Sequence, residues 1–150
     1  MRNTTQWSTP MRRQENAGAL LDIFNVPLHS NMKLWALILV DNTRKQHFGI
    51  EILNSILPVA VTEAFARLMN KFGGVLTVNV DNAYFWHTHE FKACASSLGI
   101  CLYFCPPSSS YKKAICERVM YLFSEEVLNK ATFNSIQDVR TATAAWTKAR

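Results

Sequence analysis

Three carboxylates stand where their types and positions could do chemistry. Asp22 lies between Leu21 and Ile23 in a short apolar run, residues 20–26, and as a strand residue it shares a face with Leu20 and Phe24. A carboxylate there is costly to desolvate unless a positive group meets it. Asp81 closes the alternating run 75–80 and is followed by Asn82; ligand sites gather at such C-terminal ends of parallel strands. Glu117 sits in a helical pattern with Lys113 four residues before it and Tyr121 and Ser124 four and seven after. Together they form a polar stripe beside Ile115, Val119, Leu122 and Val127. Asp81 also suits a turn or cap. Glu117 also suits a solvated helix face paired with Lys113, although Glu preceding Lys is the better order. Asp22 is the hardest of the three to read as merely structural, because strand interiors rarely carry an unpaired Asp. Were the three to converge, they would repel one another and resist ionising. Divalent cations resolve that conflict, because Mg²⁺ prefers oxygen ligands and two ions can clamp the attacking and leaving oxygens of a phosphodiester displacement.

The elements that must position these acids follow from periodicity. Residues 20–26 read as a buried strand ending at Pro27, 34–40 as a second, and 46–53 as a third, with His47, Gly49 and Glu51 on one face and Phe48, Ile50 and Ile52 on the other. Short polar links make these an antiparallel meander. Val61, Ala64, Phe65, Leu68 and Met69 then recur at helical spacing until Gly73-Gly74. A fourth strand, 75–80, leads to a helix over 89–98 with Phe91, Ala93, Cys94 and Leu98 inward and Gly99 as its stop. A fifth strand, 100–104, precedes the loop 105–110, and helices over 111–130 and 135–148 follow. Strands joined through helices run parallel with right-handed crossovers. The order predicts an α/β chain with a mixed five-stranded sheet, three strands antiparallel and two parallel, flanked by helices. This is the ribonuclease H-like arrangement.

Composition bounds the answer. The 150 residues fit one domain: a polar arm over 1–17, with Arg12-Arg13, and a core over 18–150. A chain this long buries about 70% of its unfolded surface, so neither disulfides nor structural metals are required. Sixteen Lys and Arg against eleven Asp and Glu give a net charge of +5, which permits a nucleic-acid partner. The longest apolar run, residues 34–40, is far short of the roughly 20 needed to span a membrane. The N-terminus has no apolar segment of the secretory kind. Cys94, Cys101, Cys105 and Cys116 form no CxxC pair and read as reduced core thiols. His87-Thr88-His89 could put two imidazoles on one face of a strand, but it precedes a helix and has no third ligand at a characteristic distance.

The motifs carry a resemblance. Asp81-Asn82-Ala83, Phe85 and Glu90-Phe91 resemble the second catalytic motif of retroviral integrases and related bacterial transposases. Leu98-Gly99-Ile100, Phe104, Pro106-Pro107, Ser110, Lys113-Ala114 and Cys116-Glu117-Arg118 resemble their third, where a Gly-Ile strand leads through a proline loop into the helix bearing a catalytic Glu. Thirty-five residues separate Asp81 from Glu117, the spacing that defines that family. Leu21-Asp22-Ile23 resembles the first motif, and Leu39-Val40-Asp41 with Arg44 the following strand and turn, which makes Asp41 the rival first acid. The chain departs from the pattern at four places. Ala83 and Ala114 stand where Gly is usual, Leu21 where Trp is common, and Tyr111-Lys112 replaces a Pro-containing pair.

The resemblance implies a catalytic core for DNA transposition or integration. Asp22, Asp81 and Glu117 would be the catalytic acids and the ligands of Mg²⁺ or Mn²⁺, two ions per active site. Lys112, Lys113 and Arg118 would contact DNA phosphates, and the loop 105–110 would move on DNA binding. The implied partners are double-stranded DNA, at element ends and target, and further copies of the chain in a homo-oligomer. The implied compartment is the cytoplasm, in a bacterial cell the nucleoid. Elements of this type read their ends with separate domains, so the chain reads as an excised core or a remnant. Two alternatives share the fold: a catalytically decayed core that binds DNA or a transposase, and a nuclease or resolvase that only hydrolyses.

Overall fold

The computed structural model describes residues 18–41, 47–106 and 110–150. The arm over 1–17, the polar turn after Asp41, Gln46, and residues 107–109 of the proline loop lie outside the described residues, as does the expected movement of that loop. Five strands form one sheet: β1 (Ala19–Asn25), β2 (Trp35–Asp41), β3 (Phe48–Leu53), β4 (Thr77–Val80) and β5 (Cys101–Phe104), in the order β3-β2-β1-β4-β5. The β1–β2 and β2–β3 pairs are antiparallel, and the β1–β4 and β4–β5 pairs parallel. The expected mixed sheet is present.

Strand alternation makes two apolar faces, because both sides of the sheet are covered. Ala19 and Leu21 of β1, with Leu37 and Leu39 of β2, face helix α1 (Pro58–Phe72) and helix α2 (His89–Ser97), where Val61, Phe65, Leu68 and Phe91 complete one core layer. Leu20, Ile38, Val40 and Ile50 face helix α3 (Ser110–Glu126) and helix α4 (Ile136–Ala149), with Met120, Phe123 and Val139 in the opposite layer. Local chemistry sets the helix ends. Pro58 opens α1, where a missing N–H is harmless, and Gly73 at φ +56° closes it, its N–H donating to Met69 O. The Thr88 hydroxyl caps α2 by accepting from Phe91 N, and Ser135 caps α4 by accepting from Asp138 N.

Three sequence expectations need correction. In α2 the buried residues are Phe91 and Ala95, while Ala93 and Leu98 point outward. The inward row runs i, i+4 from Phe91, and Leu98 already lies past the last helical turn. The helix expected over 111–130 ends at Glu126; Val127 leaves helical geometry, and a 3₁₀ turn, Leu128–Lys130, buries Leu128 in the sheet-facing layer. The cysteines are not four core thiols. All are free, but Cys116 alone is buried, while Cys101 is exposed on β5, the outermost strand on its side of the sheet among the described residues.

Candidate active site

Register brings the first two acids together. In the parallel pair, Leu20 lies opposite Asn79. Two residues further along both chains come Asp22 and Asp81, the latter just beyond the end of β4. Both line a cavity of about 380 Å³ with Asn79, Asn82, Ala83, Cys105, Pro106, Lys112, Lys113 and Cys116 among the other walls. Asp41 is excluded from this place by the same geometry. It pairs with Ala19, three residues and so about 10 Å back along β1, and alternation puts its side chain on the Leu39 face.

Each carboxylate is held differently. Asp22 is 7% exposed. Its Oδ1 accepts from the backbone N–H of Ile23 at 2.8 Å, and its Oδ2 accepts from Lys113 Nζ at 2.9 Å. Burial pushes the Asp22 carboxyl above its ordinary range, more than the Lys113 hydrogen bond, the Ile23 N–H and the Lys113 charge pull it down, and the charge of Asp81 adds to the rise. Asp81 is exposed, and its Oδ1 accepts twice, from Ala83 N at 3.0 Å and from Trp86 Nε1 at 2.9 Å. Its Oδ2 has no partner among the described residues. Trp86 is fully buried and stacks edge-on to Phe85, with ring centroids 4.4 Å apart. The hydrogen bond that orients Asp81 thus comes from a residue fixed in the core. Residues 84–87 form a 3₁₀ turn between Asp81 and α2, which returns the Trp86 indole to the acid five residues earlier.

Glu117 is exposed on α3 and is not among the residues lining the cavity. Its charge nevertheless reaches Lys113. Instead of the Lys113–Glu117 helical pair that spacing also allowed, Lys113 pairs across the fold, because α3 packs on β1 and turns Lys113 toward Asp22. Burial lowers the Lys113 ammonium, but the Asp22 hydrogen bond and the charges of Asp22, Asp81 and Glu117 outweigh it and hold the ammonium above its usual range.

The other expected cations part company. Lys112 is 4% exposed and turned inward, donating to Asn79 Oδ1 at 3.2 Å and lying 4.9 Å from the Tyr103 ring centroid. Asn79 in turn donates to Ala19 O at 3.0 Å, which ties β4 to β1 beside the cavity. Arg118 is exposed on α3. His87 does not pair with His89; it stacks on Phe104 at 4.3 Å and meets Asn82 Oδ1 at 3.3 Å.

Sequence reasoning missed Trp86 and Asn79 as parts of this site. A buried Asn flanked by Val78 and Val80 was a signal of the same kind as Asp22. The Trp86 contact left none, because nothing in the spacing says which way a 3₁₀ turn returns an indole.

Among the described residues no three His, Cys, Asp or Glu side chains are grouped to hold a metal ion. The donor chemistry at the cavity still fits a hard divalent cation. It offers carboxylate oxygens, and a cation, the Lys113 ammonium, stands against Asp22.

No protein-family model matches the chain, and no curated protein does. Solved structures do. A chain of the simian T-cell lymphotropic virus intasome in complex with the PP2A regulatory subunit B56 gamma matches with TM-score 0.70 and 16% identity over 85% of this chain and 47% of that one. The HTLV-2 integrase catalytic core domain in complex with magnesium matches with TM-score 0.65 and 17% identity over 85% of this chain and 82% of that one. The catalytic core domain of BIV integrase matches with TM-score 0.67 and 14% identity over 90% and 86%. This chain therefore spans about half of the intasome chain and most of each core domain. At these identities the likeness is one of fold: the chain has the ribonuclease H-like fold of retroviral integrase catalytic cores.

Proposed function

We propose that the chain is a polynucleotidyl-transferase core that nicks DNA at a 3′ end and joins that end to target DNA. The observation that carries this reading is that Asp22 and Asp81, at the end of the parallel β1–β4 pair, line one cavity, with the Lys113 ammonium against Asp22. Asp22, Asp81 and, from α3, Glu117 would hold Mg²⁺ or Mn²⁺, two ions per site. Bound there, the ions would polarise the scissile phosphate and ease deprotonation of the attacking water or 3′-hydroxyl. The chain's own residues supply the rest. Trp86 and the Ala83 N–H fix one oxygen of Asp81 and leave the other for a ligand. Lys113 and Arg118, both exposed on α3, would meet phosphates. Buried Lys112 would position Asn79 and the cavity wall.

Double-stranded DNA is the proposed partner, and the chain would work on it as a homo-oligomer. The HTLV-2 core occurs in dimeric and trimeric forms. The compartment is the one that holds the DNA, in a bacterial cell the cytoplasm and its nucleoid. No helix among the described residues is long and apolar enough to cross a membrane.

One observation favours a second reading, a core that binds DNA or a transposase without catalysis: the Lys113–Asp22 ion pair already neutralises the first acid. A strand-transfer assay with labelled donor DNA and Mn²⁺ separates the readings. Joined products that disappear in Asp81→Asn support the transferase. Cleavage without joining supports a hydrolytic nuclease. DNA binding with neither product supports the binding module.

A further inference from the structure

Asp22 is buried in the middle of a strand, and such a carboxylate needs a positive partner. The chain supplies one from ninety-one residues away, Lys113 Nζ at 2.9 Å. The charges of Asp22, Asp81 and Glu117 all bear on this one ammonium. Its position is fixed from a second side, since Nζ lies 5.5 Å from the centroid of the Phe24 ring on the same face of β1. The Lys113 side chain is 51% exposed, so the ammonium can leave without the helix unfolding.

We propose that Lys113 is a tethered counter-ion that occupies the cation position of the Asp22–Asp81 cavity and competes there with a divalent metal ion. This rests on the reading of Asp22, Asp81 and Glu117 as metal ligands. Asp22 Oδ2 cannot keep its 2.9 Å bond to Lys113 and take a metal in the same place. A divalent ion arriving beside an ammonium is also repelled by it. Metal loading therefore requires Lys113 to swing out, and the intact chain binds Mg²⁺ or Mn²⁺ weakly.

The test is a Mn²⁺ binding isotherm followed by electron paramagnetic resonance, together with the metal-induced shift in thermal midpoint. The whole chain is used, as wild type, Lys113→Gln, Lys113→Arg and Lys113→Gln/Asp22→Asn. Gln removes the charge but keeps an amide donor for Asp22, and Lys113→Met replaces it if circular dichroism shows the Gln variant misfolded. The expected result is at least tenfold tighter Mn²⁺ binding, and a larger thermal shift, in the uncharged variant. Lys113→Arg should stay as weak as wild type, and Asp22→Asn should abolish the gain. Equal affinity in wild type and the uncharged variant overturns the competition and leaves the metal reading standing. A gain that survives Asp22→Asn also overturns it, since the metal then sits elsewhere. No Mn²⁺ binding by any variant overturns the metal reading and the competition with it.

Discussion

Burial works against the Asp22 carboxylate, and Lys113 recovers only part of what burial takes, so the acid stays harder to ionise than an exposed one. Asp81 is exposed, and the fold controls its orientation through the Trp86 indole and the Ala83 N–H. Trp86→Phe keeps an aromatic in the Phe85–Phe91 cluster and removes only the donor and one ring. A hydrogen bond to a charged acceptor and the small cavity together are worth about 1–3 kcal/mol. Urea unfolding should show a loss of that size; a loss near zero would mean that the indole bond holds nothing in place. At this scale the sequence was informative about the acids and silent about their partners. Asp22 was conspicuous because it broke an apolar run, and Asp81 because it ended one. Helical spacing offers Glu117 as a neighbour for Lys113 because spacing is a local rule, whereas the partner of Lys113 lies on another element.

Among the elements, the strand that sets the distance from sheet to helix on one side is β3. A Cβ at Gly49 would come within 2.7 Å of Phe72 Cε1 and 3.0 Å of Leu68 Cδ2, so the absence of a side chain lets α1 approach. Glu51, on the same face, then reaches Arg67 at 2.8 Å and Lys71 at 3.5 Å across the junction. On the far side, Arg140 of α4 donates twice to Ile52 O, at 3.2 and 3.0 Å. Gly49→Ala should overpack this junction and lower stability by about 1–2 kcal/mol in chemical denaturation; no change would show that the last turn of α1 yields freely. Element boundaries were legible wherever a stop or cap was local, as with Gly73, Ser135 and the period change after Leu53. The exit from α3 at Val127 was not, because the helical pattern continues through it and only the packing of Leu128 ends the helix.

Over the whole molecule, charge is distributed more tellingly than its total of +5 suggests. Of the three cations expected to meet DNA, Lys112 is spent inside the fold, Lys113 is held by Asp22, and Arg118 stands exposed. Arg118→Ala should weaken duplex binding and reduce the slope of log affinity against log salt by about one. Lys112→Met should leave that slope unchanged and lower the thermal midpoint instead. An unaltered slope in Arg118→Ala would remove Arg118 from the DNA surface.

The sequence by itself determined the element order and the mixed sheet, and it marked Asp22, Asp81 and Glu117 as the candidate acids. These follow from periods of two and 3.6, from local stops, and from the cost of an acid in an apolar strand. Only the tertiary structure decided that Asp22 and Asp81 are neighbours rather than merely alike, since parallel register is a pairing of distant segments. It alone decided that Lys112 turns inward, that Trp86 aims Asp81, and that Lys113 stands against Asp22. Each of these is set by which faces of α3 and of the 3₁₀ turn pack on the sheet, and a side chain buried by packing takes the partner that packing brings to it.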